Sequence, residues 1–169
     1  MSLSMYTVLT TSVLPMLDNL AKLLQKGAAH AAANGIAEPD LLGSRLAPDM
    51  HPLTRQVQLV SDMAKSAAAR LTGIDPPSFP DEETSIAELV ARLEKTRDFV
   101  RSVPEAGYAG SETRDVVVHT PLGDFPFKGQ MYLLNFLLPN FYFHVTTAYD
   151  LLRHRGVPLG KMDFFGRGG

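Results

Sequence analysis

Residues 135–165 read NFLLPNFYFHVTTAYDLLRHRGVPLGKMDFF, the most apolar and most aromatic stretch of the chain. From about Gln130, Leu134, Leu138, Phe141, Val145, Ala148 and Leu152 recur every three or four residues, the spacing of one helix face. Leu133, Leu137, Tyr142, Tyr149 and Leu151 widen that stripe until most of the circumference is apolar, so this helix is expected to be buried by more than one neighbour. Pro139 is expected to kink it, and Gly156 followed by Pro158 to end it. Two polar side chains, Asn140 and His144, stand one turn apart on the inward side of this otherwise greasy surface.

Upstream, three more segments carry the same period. From Met5 to Ala33 the seam is Tyr6, Leu9, Val13, Met16, Leu20 and Leu23, with Pro15 inside it and Asn34-Gly35 as its end. A second helix spans Pro52 to Leu71 through Leu53, Val57, Val60, Ala64, Ala67 and Leu71, closed by Thr72-Gly73. A third opens at Thr84, with Glu88 near capping-box distance, and runs through Ile86, Leu89, Leu93, Thr96, Val100 and Val103 to Pro104. Residues 36–52 and 74–83 are proline-bearing connections without periodicity. Between helices three and four the period changes to two: Asp115–Thr120 and Phe125–Phe127 flank a turn at residues 121–124 and predict a β-hairpin lying against the bundle. The expected fold is therefore all-α, a four-helix bundle with a small β-hairpin inserted before the last helix. Connections this long argue for a crossover and against the minimal up-down-up-down order.

The bulk numbers narrow the classes. At 169 residues the chain suits one domain, expected over residues 5–166, with Met5 a natural start and residues 1–4 added ahead of it. A net charge of -2 without a basic run argues against nucleic acid. No apolar stretch is long enough to span a bilayer, and no basic-then-apolar leader opens the chain. Cysteine is absent, which removes disulfides, thiolate metal sites and a cysteine nucleophile together and is compatible with the cytoplasm.

The segment NFYFHVTTAYDLLRHRGV resembles the last helix of the DinB/YfiT-like superfamily, whose members are taken to be metalloenzymes. In that family the segment carries His-x-x-x-His, then an apolar turn with Leu-Leu-Arg and a terminal glycine. Asn140 falls on the first family histidine, His144 on the second, and Leu151-Leu152-Arg153 and Gly156 follow in register. The segments LAPDMHPLTRQVQ (46–58) and HRGVPLGKMDFFG (154–166) likewise resemble a branch of the superfamily with no assigned reaction. The resemblance implies the bundle with its crossover, and a metal site of three histidines, one on helix two and two on helix four. Here helix two has no histidine; its polar candidates are Gln56, Gln58 and Asp62, with Gln58 the best positional match and Asp62 the strong anionic one.

Two readings follow. In the first, the histidine triad has degenerated, and Asn140, His144, Gln58 and Gln56 line a polar, metal-free pocket for a small molecule. In the second, His144 is the main ligand of a divalent ion, zinc or nickel, with Asn140 and Asp62 as further ligands, in a thiol-type transferase or a hydrolase. His51, Lys161 with Asp163, and the i, i+4 pair Asp150–His154 are lesser candidates, with surface or structural roles expected. The apolar excess of helix four predicts a homodimer.

Overall fold

The computed structural model describes residues 3–168; Met1 and Ser2, of the four residues expected to be added ahead of Met5, lie outside them. Helix α1 runs unbroken from Met5 to Ala33 through Pro15, and the Ser4 hydroxyl caps it by accepting the Thr7 N–H at 3.1 Å. The stretch expected to be a bare loop holds a short helix, α2 (Glu38–Leu42). Pro39 suits its first turn, and Leu41 and Leu42 give it an apolar side to bury. The Glu38 carboxylate also accepts the Ile86 N–H at 2.5 Å, tying α2 to the start of α4.

Helix α3 (Leu53–Thr72) ends at Gly73, whose positive φ of 76° is the left-handed cap expected there. Helix α4 (Ile86–Ser102) starts one residue later than the sequence suggests. Ser85, not Thr84, is the cap: its hydroxyl accepts the Glu88 N–H while the Glu88 carboxylate accepts the N–H groups of both Ser85 and Thr84. After a 3₁₀ turn (Glu105–Tyr108) come β1 (Asp115–Thr120) and β2 (Gly123–Lys128), paired antiparallel. Thr120 faces Gly123, so Pro121 and Leu122 alone make the turn and β2 begins two residues before Phe125.

The last helix departs most from expectation. A short α5 (Gly129–Met131) leads into a π-helical segment, Tyr132–Leu137, and then α6 (Leu138–His154). Each π turn holds one extra residue, so the inward face slips by one position. Leu133 and Leu137 are therefore buried, whereas Leu134, expected on the central stripe, is 44% exposed. From Phe141 onward Val145, Ala148 and Leu152 are buried as predicted. The segment also absorbs Pro139, which has no N–H to return to the carbonyl one turn earlier.

Helix α1 packs against α4 and α6, and α3 packs against the same two, with α1 and α3 on one diagonal. Of the consecutive long helices only α3 and α4 are adjacent; α1 to α3 and α4 to α6 each cross a diagonal, which is the crossover expected from the long connections. The hairpin rests on the π segment through Phe127, whose ring lies 6.3 Å from Tyr132 and 5.2 Å from Phe136. After α6 the chain turns back along α1 as α7 (Lys161–Phe164), held by a 2.5 Å Lys26–Asp163 ion pair and by Asn19 donating to the Phe164 carbonyl. Lys161 and Asp163 thus belong to a salt-linked terminal segment.

Candidate functional site

Helices α3 and α6 pack side by side, and that contact brings Gln56 to His144. Gln56 is 2% exposed, His144 half-buried. The Gln56 amide is oriented by the loop before α3: its Nε2 donates to the His51 carbonyl at 3.1 Å, leaving Oε1 to face the imidazole. Oε1 can only accept, so the 2.6 Å contact is His144 Nδ1–H donating to Gln56. The ring lone pair is then on Nε2. Burial, reinforced by the electrostatic influence of His51 and Arg55, lowers the His144 pKa to about 4. The ring is a neutral acceptor throughout the physiological range. Phe143 closes one side, edge-on to the imidazole at 5.2 Å.

The other candidates fall elsewhere. Asn140, half-buried on the same helix, donates its side-chain amide to the Phe136 carbonyl at 2.7 Å, one turn back along its own helix. Gln58, two residues from Gln56 and so on another face of α3, accepts from Arg55 at 3.3 Å and donates to Glu83 at 2.8 Å. Asp62 lies 2.9 Å from Arg92 and 3.2 Å from Lys65. His51 is exposed, and its backbone carbonyl, not its ring, reaches Gln56. Asp150 and His154 are both exposed near the end of α6.

The centre of the second network is Arg92, whose side chain is 2% exposed. It bonds Asp62 at 2.9 Å, Asp81 at 2.9 Å, Glu83 at 2.8 Å, the Ser61 hydroxyl at 3.1 Å and the Pro80 carbonyl at 2.9 Å. A cleft of about 310 Å³, lined by Phe79, Pro80, Glu82, Glu83 and Arg92 among others, opens beside this network and not on His144. Sequence reasoning missed Arg92. The available signal was its phase: it lies three residues after Leu89 and four before Thr96, on the buried stripe of α4.

The family described as "Domain of unknown function (DUF1993)" matches residues 5–165. The chain belongs to this family. It is also similar to a DinB family member from Shewanella denitrificans, solved by crystallography at 1.83 Å. The two are 36% identical over 97% of this chain and 92% of that one, with a TM-score of 0.87. The resemblance seen in the last helix thus extends over the whole bundle, and the protein is DinB-like. No curated protein matches the chain.

The three-histidine metal centre implied for DinB-like bundles can be tested against the donors present. The Asn140 amide nitrogen donates to a backbone carbonyl, which leaves only its weakly ligating oxygen; the Gln56 oxygen is engaged by His144, and Asp62 by two cations. Among the described residues no group of three or more His, Asp or Glu side chains is placed to hold a metal ion. Of the expected ligands, one imidazole nitrogen and one neutral amide oxygen remain in place of three histidines, and the donor set does not fit that centre.

Proposed function

We propose that this DinB-like protein binds a small organic molecule at His144 by offering the Nε2 lone pair to a hydroxyl or amine of the ligand, without the three-histidine metal centre that the family resemblance implies. The observation that carries this reading is the chain from the His51 carbonyl through Gln56 to His144 Nδ1. It fixes one tautomer and one ring orientation, so an acceptor stands ready before the ligand arrives. The low pKa suits an acceptor and argues against a proton carrier at neutral pH.

Two experiments test it. In protein purified without a metal-affinity column, Zn²⁺ and Ni²⁺ should bind below one equivalent and leave the melting temperature unchanged. One equivalent of metal that disappears in a His144→Ala variant would establish the opposite reading, a metal-dependent transferase or hydrolase. A fragment library followed by amide and imidazole chemical shifts should give perturbations centred on Gln56 and His144, abolished by His144→Phe. Hits confined to other surfaces would defeat the site.

We propose also that the protein acts as a homodimer, on the strength of the apolar residues that α6 and the π segment leave outside. Its cysteine-free sequence suits the cytoplasm, and no helix among the described residues is long and apolar enough to cross a membrane.

A further inference from the structure

From Gly129 to Tyr149 there is no Asp, Glu, Lys or Arg, although these residues make up 20% of the chain. For the buried side of a helix this is ordinary. Here it holds for the outer side too: Met131 is 50% exposed, Leu134 44%, Tyr142 36% and Phe143 56%, with Asn135, Pro139 and Thr146 between them. The outer side of α4, by contrast, carries Glu94, Lys95, Asp98 and Arg101. A large uncharged outer face marks an interaction surface.

We infer that a second copy of the chain covers this face, with the two last helices antiparallel and crossing at Pro139, so that each protomer completes the other's His144 site. This rests on the dimer and the site proposed above. Three features favour a second copy over a different protein. At a two-fold axis each residue meets its own counterpart, so a charge near the axis would oppose itself, and this face has none. The exposed positions are centred on Pro139: Asn135 and Phe143 stand equally far before and after it, with Leu134 and Tyr142 beside them. The bounding charges are opposite in sign: Lys128, at the end of β2, and Asp150, on α6, each stand eleven residues from Pro139 along the chain, and both are exposed. An antiparallel pair sets Lys128 of one protomer against the partner's Asp150 at both ends. The present partner of Lys128 is Asp115, 81% exposed and readily exchanged.

In that arrangement the partner's Leu134 and Asn135 lie across Tyr142 and Phe143. Phe143 already packs on the imidazole of His144. The partner's Asn135 amide therefore arrives at the mouth of the site, adding a polar group to the bare Nε2.

The absence of cysteine makes the test direct. The double variant Asn135→Cys/Phe143→Cys should oxidise to a covalent dimer on a non-reducing gel, while either single variant stays uncrosslinked. In sedimentation equilibrium the wild-type chain should be dimeric at micromolar concentration. Leu134→Glu should weaken association about 100-fold or more with unchanged helical signal and melting of the monomer. Fragment binding at His144 should weaken in that monomer. A dimer without the Asn135–Phe143 crosslink would overturn the seam, and a monomeric wild type would overturn the dimer as well. A Leu134→Glu monomer that binds fragments undiminished would overturn the shared site while leaving the His144 reading standing.

Discussion

His144 ties stability to pH in a definite window. Its folded pKa of about 4 lies below the ordinary value of 6.5, so between those values the unfolded chain holds the extra proton. Stability should be flat above pH 6.5 and fall as pH drops from there toward 4, by roughly 1–2 kcal/mol once the ring's partial exposure is allowed for. An NMR titration of the ring should show a midpoint near the lower limit. Replacing the pair together, Gln56→Leu with His144→Phe, should remove the slope at little cost near neutral pH, because both ends of the buried bond go together and the His51 carbonyl that loses its donor belongs to an exposed residue. Asn140→Ala should cost less than about 1 kcal/mol and leave the titration unmoved, since its amide serves a carbonyl of its own helix. A shift of the His144 midpoint in that variant would return Asn140 to the site. His144 and Asn140 stood out in the sequence as polar residues in an apolar run. Their different employments did not, because neither a partner 88 residues away nor a bond to a carbonyl of the same helix leaves a mark on spacing.

At the scale of elements, periodicity located all four long helices and the hairpin, and it failed where hydrogen-bond geometry changes the residues per turn. The slip that exposes Leu134 is invisible to a constant 3.6-residue period, and only Pro139 hinted at it. The short α2 was hidden for a similar reason: five residues cannot show a period. The junction of hairpin and last helix makes a sharp test. Gly129 sits so close to Ser111 that a Cβ there would fall 1.9 Å from the Ser111 carbonyl oxygen, while the Gly129 N–H donates to Arg114 at 2.8 Å. Gly129→Ala should therefore cost about 2–4 kcal/mol, although alanine is the better helix former. Hydrogen exchange should report the loss first in β1 and β2. Tyr108→Phe should do the reverse. The Tyr108 hydroxyl is buried without a partner, and burial drives its pKa up to about 12, so removing it should be neutral or stabilising by up to about 1 kcal/mol.

In the molecule as a whole, the closed ring of α1, α4, α3 and α6 leaves the 74–85 connection outside the helical core, and Arg92 is what fastens it there. Its guanidinium reaches inward to Asp62 and Ser61 on α3 and outward to Pro80, Asp81 and Glu83 on the connection. Burial alone would raise the Glu83 pKa, but its bonds from Arg92 and Gln58 outweigh that and hold it below the usual 4.5. Its share of stability is therefore present above that value and lost as pH falls through the lower folded one, a window more acidic than that of His144. Arg92→Met removes the cation and leaves carboxylates facing one another in a half-buried space. The expected loss is about 3–5 kcal/mol, a fall in melting temperature of roughly 10 °C, with early proteolysis within 74–85. Adding Asp62→Asn and Glu83→Gln to Arg92→Met discriminates the cause. If stranded charge is what destabilises, the triple variant should recover most of the loss at neutral pH and show a flatter acid limb. If the triple variant is no better than the single one, Arg92 acts through the packing of its buried side chain, whose guanidinium lies over the Phe79 ring, and its ion pairs are incidental to the fold.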